Sequence, residues 1–238
     1  MSRMLASVNS LQEALLMQTF KVDVIDLKQP AQGALGALDV NEVRDIVAHL
    51  DDDTVVSATI GDLPMQPAQV FSAVQAMAAT GVDYVKIGFF PGGDWSDCID
   101  KLAEAARDHA LIAVLFADTQ PDFAVIDSLR QAGFSGVMLD TMDKSLGSLT
   151  QLMMQVELQA FVDKAKSAGF LTGLAGSLKA VDIEQLLPLA ADYLGFRGAL
   201  CREHCRTAEL DEGRVLDIRR RLRLHCLPPA SKQLSVIK

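Results

Sequence analysis

Short apolar runs of strand length recur along the chain, each followed by a segment with helical spacing. The runs fall at residues 5–8, 22–28, 55–61, 84–89, 111–118, 136–141, 171–176 and 193–198. Between them, Val70, Val74 and Met77 recur at i, i+4 and i+7, and Leu158, Phe161, Val162 and Ala165 repeat the same period. Strand-then-helix alternation predicts parallel strands joined by right-handed crossovers. Eight such units in 238 residues have the size of a small (β/α)8 TIM barrel. One domain over residues 1–225 is expected, with a frayed C-terminal tail at 226–238. An open doubly wound sheet is the alternative closure of the same units. Gly81, Gly133 and Gly169 each stand just before a strand, where a helix C-terminus favours positive φ.

If the barrel closes, chemistry belongs at the C-terminal ends of the strands. In the second strand, Val24, Asp26 and Lys28 share one face and the apolar Ile25 and Leu27 the other, which aims Asp26 and Lys28 into the barrel mouth. In the fourth, Val85, Ile87 and Phe89 face outward, so Lys86 points inward. A lysine inside a hydrophobic strand is costly to bury and rarely kept for packing, although an ion-paired or snorkelling lysine is the bland alternative. Two inward lysines make chemical sense together. A neighbouring ammonium or a dry pocket lowers a lysine pKa, and the neutral amine adds to a carbonyl to give a Schiff base. Asp62 follows the third strand and Asp140 ends the sixth, each suited to move a proton or anchor a hydroxyl; helix capping is the competing role. Asp118 ends the fifth strand with the same two roles open. Lys144, just beyond Asp140, reads either as a site cation or as a solvated loop lysine.

The seventh and eighth strands end in Gly176-Ser177-Leu178-Lys179 and Arg197-Gly198-Ala199. Two glycine turns at these positions suit a phosphate cradle built from backbone N–H groups. Gly176, Ser177, Lys179, Arg197 and Gly198 are therefore the expected phosphate-binding residues. Cys201, His204 and Cys205, with His225 and Cys226, match no common zinc spacing, so no metal is expected. Neither a Walker A loop nor a Gly-x-Gly-x-x-Gly fingerprint occurs.

Composition narrows the partners. Residues 1–200 hold 13 basic and 26 acidic side chains, which argues against wrapping nucleic acid. The basic group Arg219, Arg220, Arg221 and Arg223 has a simpler reading as cations in the last turn of a helix. The longest apolar run, residues 111–117, is far short of a membrane span. Asn9, Gln12, Glu13 and Gln18 interrupt what would have to be a signal peptide's apolar block. With four cysteines and no disulfide framework, a reducing cytoplasm is expected.

The strand-end blocks also occur together in one known family. Asp26-Leu27-Lys28-Gln29-Pro30 with Gly33-Ala34-Leu35-Gly36, Ser57-Ala58-Thr59-Ile60-Gly61-Asp62 and Tyr84-Val85-Lys86-Ile87-Gly88 appear in the family's order. So do Met138-Leu139-Asp140-Thr141, Leu174-Ala175-Gly176-Ser177-Leu178-Lys179 and Phe196-Arg197-Gly198-Ala199-Leu200-Cys201. From about residue 5 to about 222 the chain resembles the (5-formylfuran-3-yl)methyl phosphate synthases, also called 4-(hydroxymethyl)-2-furancarboxaldehyde-phosphate synthases. It departs locally at residues 91–95 and in the bare tail. The resemblance implies a TIM-barrel lyase that condenses two glyceraldehyde 3-phosphate molecules into a phosphorylated furan aldehyde, losing phosphate and water. That product supplies the furan of a methanofuran-type one-carbon carrier. The resemblance further implies that Lys28 forms the Schiff base and Lys86 accepts the proton, with Asp26, Asp62, Asp140 and Lys144 in support. No cofactor is implied, the partners are phosphorylated trioses, and a homo-oligomer is expected. A simpler Schiff-base aldolase, a phosphosugar decarboxylase and a non-catalytic phosphometabolite-binding barrel are the alternatives.

Overall fold

The computed structural model describes residues 2–224; the expected tail and the His225–Cys226 pair lie outside them. Eight parallel strands close in sequence order into a barrel: β1 (Arg3–Val8), β2 (Val24–Leu27), β3 (Val56–Thr59), β4 (Tyr84–Gly88), β5 (Ala110–Phe116), β6 (Gly136–Asp140), β7 (Leu171–Leu174) and β8 (Tyr193–Phe196). The helices are α1 (Leu11–Thr19), α2 (Val40–His49), α3 (Pro67–Ala78), α4 (Trp95–Leu102), α5 (Val125–Gln131), α6 (Leu149–Leu152), α7 (Gln155–Ser167), α8 (Ile183–Leu186) and α9 (Glu212–Leu224). The β1–β8 pairing, Arg3 opposite Tyr193 and Ala6 opposite Phe196, decides for the closed barrel over the open sheet. Among the described residues, no helix is long and apolar enough to cross a membrane.

The two faces of each strand feed two apolar cores. Ile25, Leu27, Val85, Ile87 and Phe89 join the large core between strands and helices, with Val70, Val74 and Met77 of α3 and Leu158, Phe161 and Val162 of α7. Leu5, Val24, Val114, Phe116 and Met138 fill the barrel interior. Alternation thus places every second residue of a strand inside, and the apolar interior stops where Asp26 and Lys86 begin.

The floor of the barrel uses acids structurally. Asp23, Asp83 and Asp192 stand just before β2, β4 and β8, and each accepts the backbone N–H of the preceding strand: Met4 at 2.8 Å, Val56 at 2.7 Å and Thr172 at 2.8 Å. These bonds pin neighbouring strands at the face opposite the mouth. In the departing segment 91–95, Gly93 (φ +71°) backs onto Met65, whose carbonyl oxygen would lie 2.5 Å from an added Cβ.

Candidate active site

Register builds the base of the site. Ser7 lies opposite Asp26, and Asp26 opposite Ser57, on three adjacent strands. Asp26 is fully buried and accepts from the hydroxyls of Ser7 (2.8 Å) and Ser57 (2.7 Å) and from the Lys86 ammonium (2.9 Å). Burial alone would raise its pKa, but the Lys86 and Lys28 ammoniums and the Ser57 hydroxyl outweigh it and hold the carboxyl below its usual range.

A second acid–lysine pair closes the other flank. Asp140 ends β6, accepts from the Thr141 N–H at 2.7 Å, and is ion-paired with Lys144. Burial raises its pKa, yet Lys144 and Lys28 bring it down to about 2. Lys144 also donates to the Thr141 carbonyl and hydroxyl, so all three of its protons are spent.

Lys28 differs from both. It lies just past β2, 7% exposed, and its amine makes no hydrogen bond or ion pair among the described residues; since no side-chain nitrogen there is both sealed from solvent and unpartnered, the amine opens onto the cleft. Burial is the main cause that lowers its pKa, to about 8. Asp140 and Asp26 oppose that shift, and Lys144 and Lys86 reinforce it. Lys28, Lys86, Asp140 and Lys144 line one cleft of about 240 Å³ at the C-terminal mouth. An amine that is buried, untethered and flanked by two neutralised lysines is equipped for nucleophilic attack.

The β7 and β8 loops form the far wall of the same cleft. Gly176 has φ +108°, and an added Cβ would meet Thr141 Cγ2 at 2.8 Å, so only glycine fits. Ser177 adopts a left-handed φ of 49°. The N–H groups of Gly176, Ser177, Leu178, Gly198 and Ala199 donate to no protein acceptor among the described residues, which leaves a cradle of unspent donors. The Lys179 side chain is exposed at its edge.

Two expected site residues turn out to work through the backbone. Asp62 accepts the Ala34 N–H at 2.8 Å and the Leu35 N–H at 2.7 Å, so its carboxylate fixes the loop after β2. Asp118 does the same for the loop after β6, accepting from Met142 and Asp143, each at 2.7 Å. Arg197 departs from its expected role as a phosphate ligand. Its guanidinium pairs with Glu13 and donates to the carbonyls of Ser7 (3.2 Å), Arg206 (2.8 Å) and Ala208 (3.1 Å), which occupies all five N–H groups.

Sequence reading missed Arg206. It lies in the long connection from β8 to α9, lines the cleft, and donates from Nη2 to the Gly33 carbonyl at 2.8 Å. Nothing in the local sequence marks it; the only signal is a connection long enough to fold back over the mouth. The neighbouring cysteines are of two kinds. Cys201 is buried, bonded to the Arg197 carbonyl at 3.2 Å and pushed up to about 11, chiefly by burial, whereas Cys205 is exposed.

Solved structures share this architecture. Phosphoribosyl anthranilate isomerase from Thermus thermophilus superposes with a TM-score of 0.68 at 15% identity, covering 94% of this chain and 99% of its own. A 3-hexulose-6-phosphate synthase superposes at 0.62 and 17%, covering 92% and 99%. At such identities these likenesses establish the fold alone. Sequence relatives go further. A Methylorubrum extorquens protein assigned to the (5-formylfuran-3-yl)methyl phosphate synthases is 42% identical over 213 residues, 90% of this chain and 88% of that one. The (5-formylfuran-3-yl)methyl phosphate synthase of Methanosarcina mazei is 31% identical over 213 residues, 84% of this chain and 91% of its own. The family model for 4-HFC-P synthase matches residues 4–219, and the chain belongs to that family.

Proposed function

We propose that this protein condenses two molecules of glyceraldehyde 3-phosphate into (5-formylfuran-3-yl)methyl phosphate, releasing phosphate and water, as a carbon–oxygen lyase that works through a Schiff base on Lys28. The product would supply the furan of a methanofuran-type one-carbon carrier. The relatives' names support the product, and one observation carries the mechanism: of the four lysines that line the cleft, only Lys28 is both buried and untethered among the described residues, and its pKa falls to about 8.

The steps follow from the residues. Neutral Lys28 adds to the carbonyl of one triose phosphate, and loss of water gives an iminium that acts as an electron sink for the adjacent carbon. Removing a proton there yields the enamine, whose carbon attacks the aldehyde of the second triose. Lys86 is the proton acceptor: passing its own proton to Asp26 along their 2.9 Å hydrogen bond frees the amine lone pair that takes the proton from carbon. Asp140 and Lys144 face the same space, and the Lys144 ammonium, oriented by Asp140, passes a proton to a departing hydroxyl. The β7 and β8 N–H groups, with Lys179, hold one substrate phosphate through charge-assisted hydrogen bonds.

Borohydride trapping tests this reading. Reduction in the presence of glyceraldehyde 3-phosphate should attach one triose-phosphate mass to the peptide carrying Lys28. Lys28→Arg should lose both adduct and furan product, because arginine keeps the charge but forms no imine. Full turnover in Lys28→Arg, with no lysine trapped, would refute the mechanism. A furan chromophore formed from triose phosphate alone separates this synthase from a reversible aldolase.

A further inference from the structure

We infer that Arg206 forms a second phosphate subsite in the same cleft, the one that holds the phosphate expelled during the reaction. The inference rests on the proposed condensation, which brings two phosphorylated trioses to one active site and keeps only one phosphate in the product.

Counting spent donors singles out Arg206. Lys86 is neutralised by Asp26, and Lys144 by Asp140. Arg197 has no proton left to offer. Lys28 must shed its charge to attack. Lys179 belongs to the β7 loop, beside the first cradle. Arg206 remains: half-buried, with one bond to the Gly33 carbonyl and no protein acceptor for Nε or Nη1 among the described residues. No side-chain donor sealed from solvent is left unpartnered among the described residues, so the free Nε and Nη1 of Arg206 open onto the cleft, where a ligand can take them. A guanidinium fork with adjacent free N–H groups matches two oxygens of a phosphate.

The scaffold supports that assignment. Arg197 Nε and Nη2 grip the carbonyls of Arg206 and Ala208, and Glu13 grips Arg197, so the strap over the mouth is fixed before any ligand arrives. On the other side, Asp62 orders Ala34 and Leu35, immediately after the Gly33 carbonyl that Arg206 holds. Arg206 therefore spans from the β8 strap, where a Cβ added at Gly198 would lie 4.0 Å from its own, to the loop that follows Lys28, with its guanidinium at the β2 side of the cleft. In the elimination, a base takes the proton, the C–H electron pair becomes the new C=C bond, and the C–O pair leaves on the phosphate oxygen. A fixed cation beside that oxygen stabilises the departing dianion.

Glycerol 3-phosphate carries the phosphate but no carbonyl, so it separates binding from imine chemistry. By titration calorimetry the wild-type chain should bind two molecules and Arg206→Gln only one, with the remaining Kd within about twofold. In rapid quench, Arg206→Gln should keep the borohydride adduct on Lys28 while phosphate release slows by ~10²-fold or more, the range seen when one preorganised donor is lost. Two sites retained in Arg206→Gln, or unchanged phosphate release, would overturn the subsite. A role confined to tethering Gly33 would leave the two-site stoichiometry intact, and so would overturn it too. Should Arg206→Gln not fold, Arg206→Lys carries the test: it should weaken only the second site. If the wild-type protein forms no Lys28 adduct, the proposed reaction fails instead, and the stoichiometry still decides the role of Arg206.

Discussion

The ends of β2 and β8 each bear a cation equally withdrawn from water, Lys28 and Arg197, both 7% exposed. Their surroundings are opposite. Arg197 has every proton placed on an oxygen, including a carboxylate, and ties α1, β1 and the β8 strap together. Lys28 has none placed among the described residues, and the two acids within electrostatic reach are already committed to other lysines. Burial alone therefore does not separate a scaffold cation from a reactive one. The separating quantity is how many donors the fold leaves unsatisfied, because an unsatisfied buried charge is kept at a cost in stability.

The sharpest way to break this comparison is to remove each charge and measure both activity and stability. Lys28→Met should lower turnover by on the order of 10⁴-fold or more, since removing a covalent nucleophile disables the whole sequence of steps. The same variant should be more stable at pH 7, by about 1 kcal/mol in denaturant melts, because an unpaired buried ammonium is gone. A destabilised Lys28→Met would show that the amine has a partner in solution.

Arg197→Met should move stability the other way, by about 3–5 kcal/mol, as the Glu13 carboxylate and several carbonyls lose their donor inside the protein. An unchanged urea midpoint would demote Arg197 from scaffold to bystander.

Titration gives a third discriminator. Burial lowers the Lys28 pKa from 10.5 to about 8, so below pH 8 the amine is charged in both folded and unfolded states. Between pH 8 and 10.5 the unfolded chain binds the extra proton. Stability from this group therefore rises with pH across that window, by on the order of 3 kcal/mol in total. Rates of borohydride trapping should climb as pH approaches 8 and then level off. Lys28→Met should abolish its share of the stability rise; a rise of equal size in that variant would assign the titration elsewhere.

The smallest effect belongs to Asp62. Asp62→Asn keeps one acceptor oxygen for two backbone N–H groups and should cost about 1 kcal/mol in stability. A few-fold increase in KM should accompany it, with the Lys28 adduct still forming. A loss as large as that of Lys28→Met would place Asp62 in the chemistry rather than under the loop.

From the chain alone, strand-length runs alternating with helical spacing were enough to read the barrel units, and the two-residue period of a strand was enough to read the inward set Asp26, Lys28 and Lys86. A strand has only two faces, and once Ile25, Leu27, Val85 and Ile87 claim the helix side, their neighbours have one place left to go. Glycine at position 176 was legible for a related reason, since the strained φ is local to its turn. Tertiary structure alone decided what each charge does. Whether Arg197 binds substrate or scaffold depends on Glu13, 184 residues away, and whether Arg206 reaches the mouth depends on how the β8–α9 connection folds back to Gly33. Likewise Asp62 and Asp118 look like site acids until the loops they hold are in place. Hydrogen bonds are directional and short, so the role of a polar side chain is set by which donors and acceptors closure of the barrel brings within about 3 Å, and no local pattern encodes that.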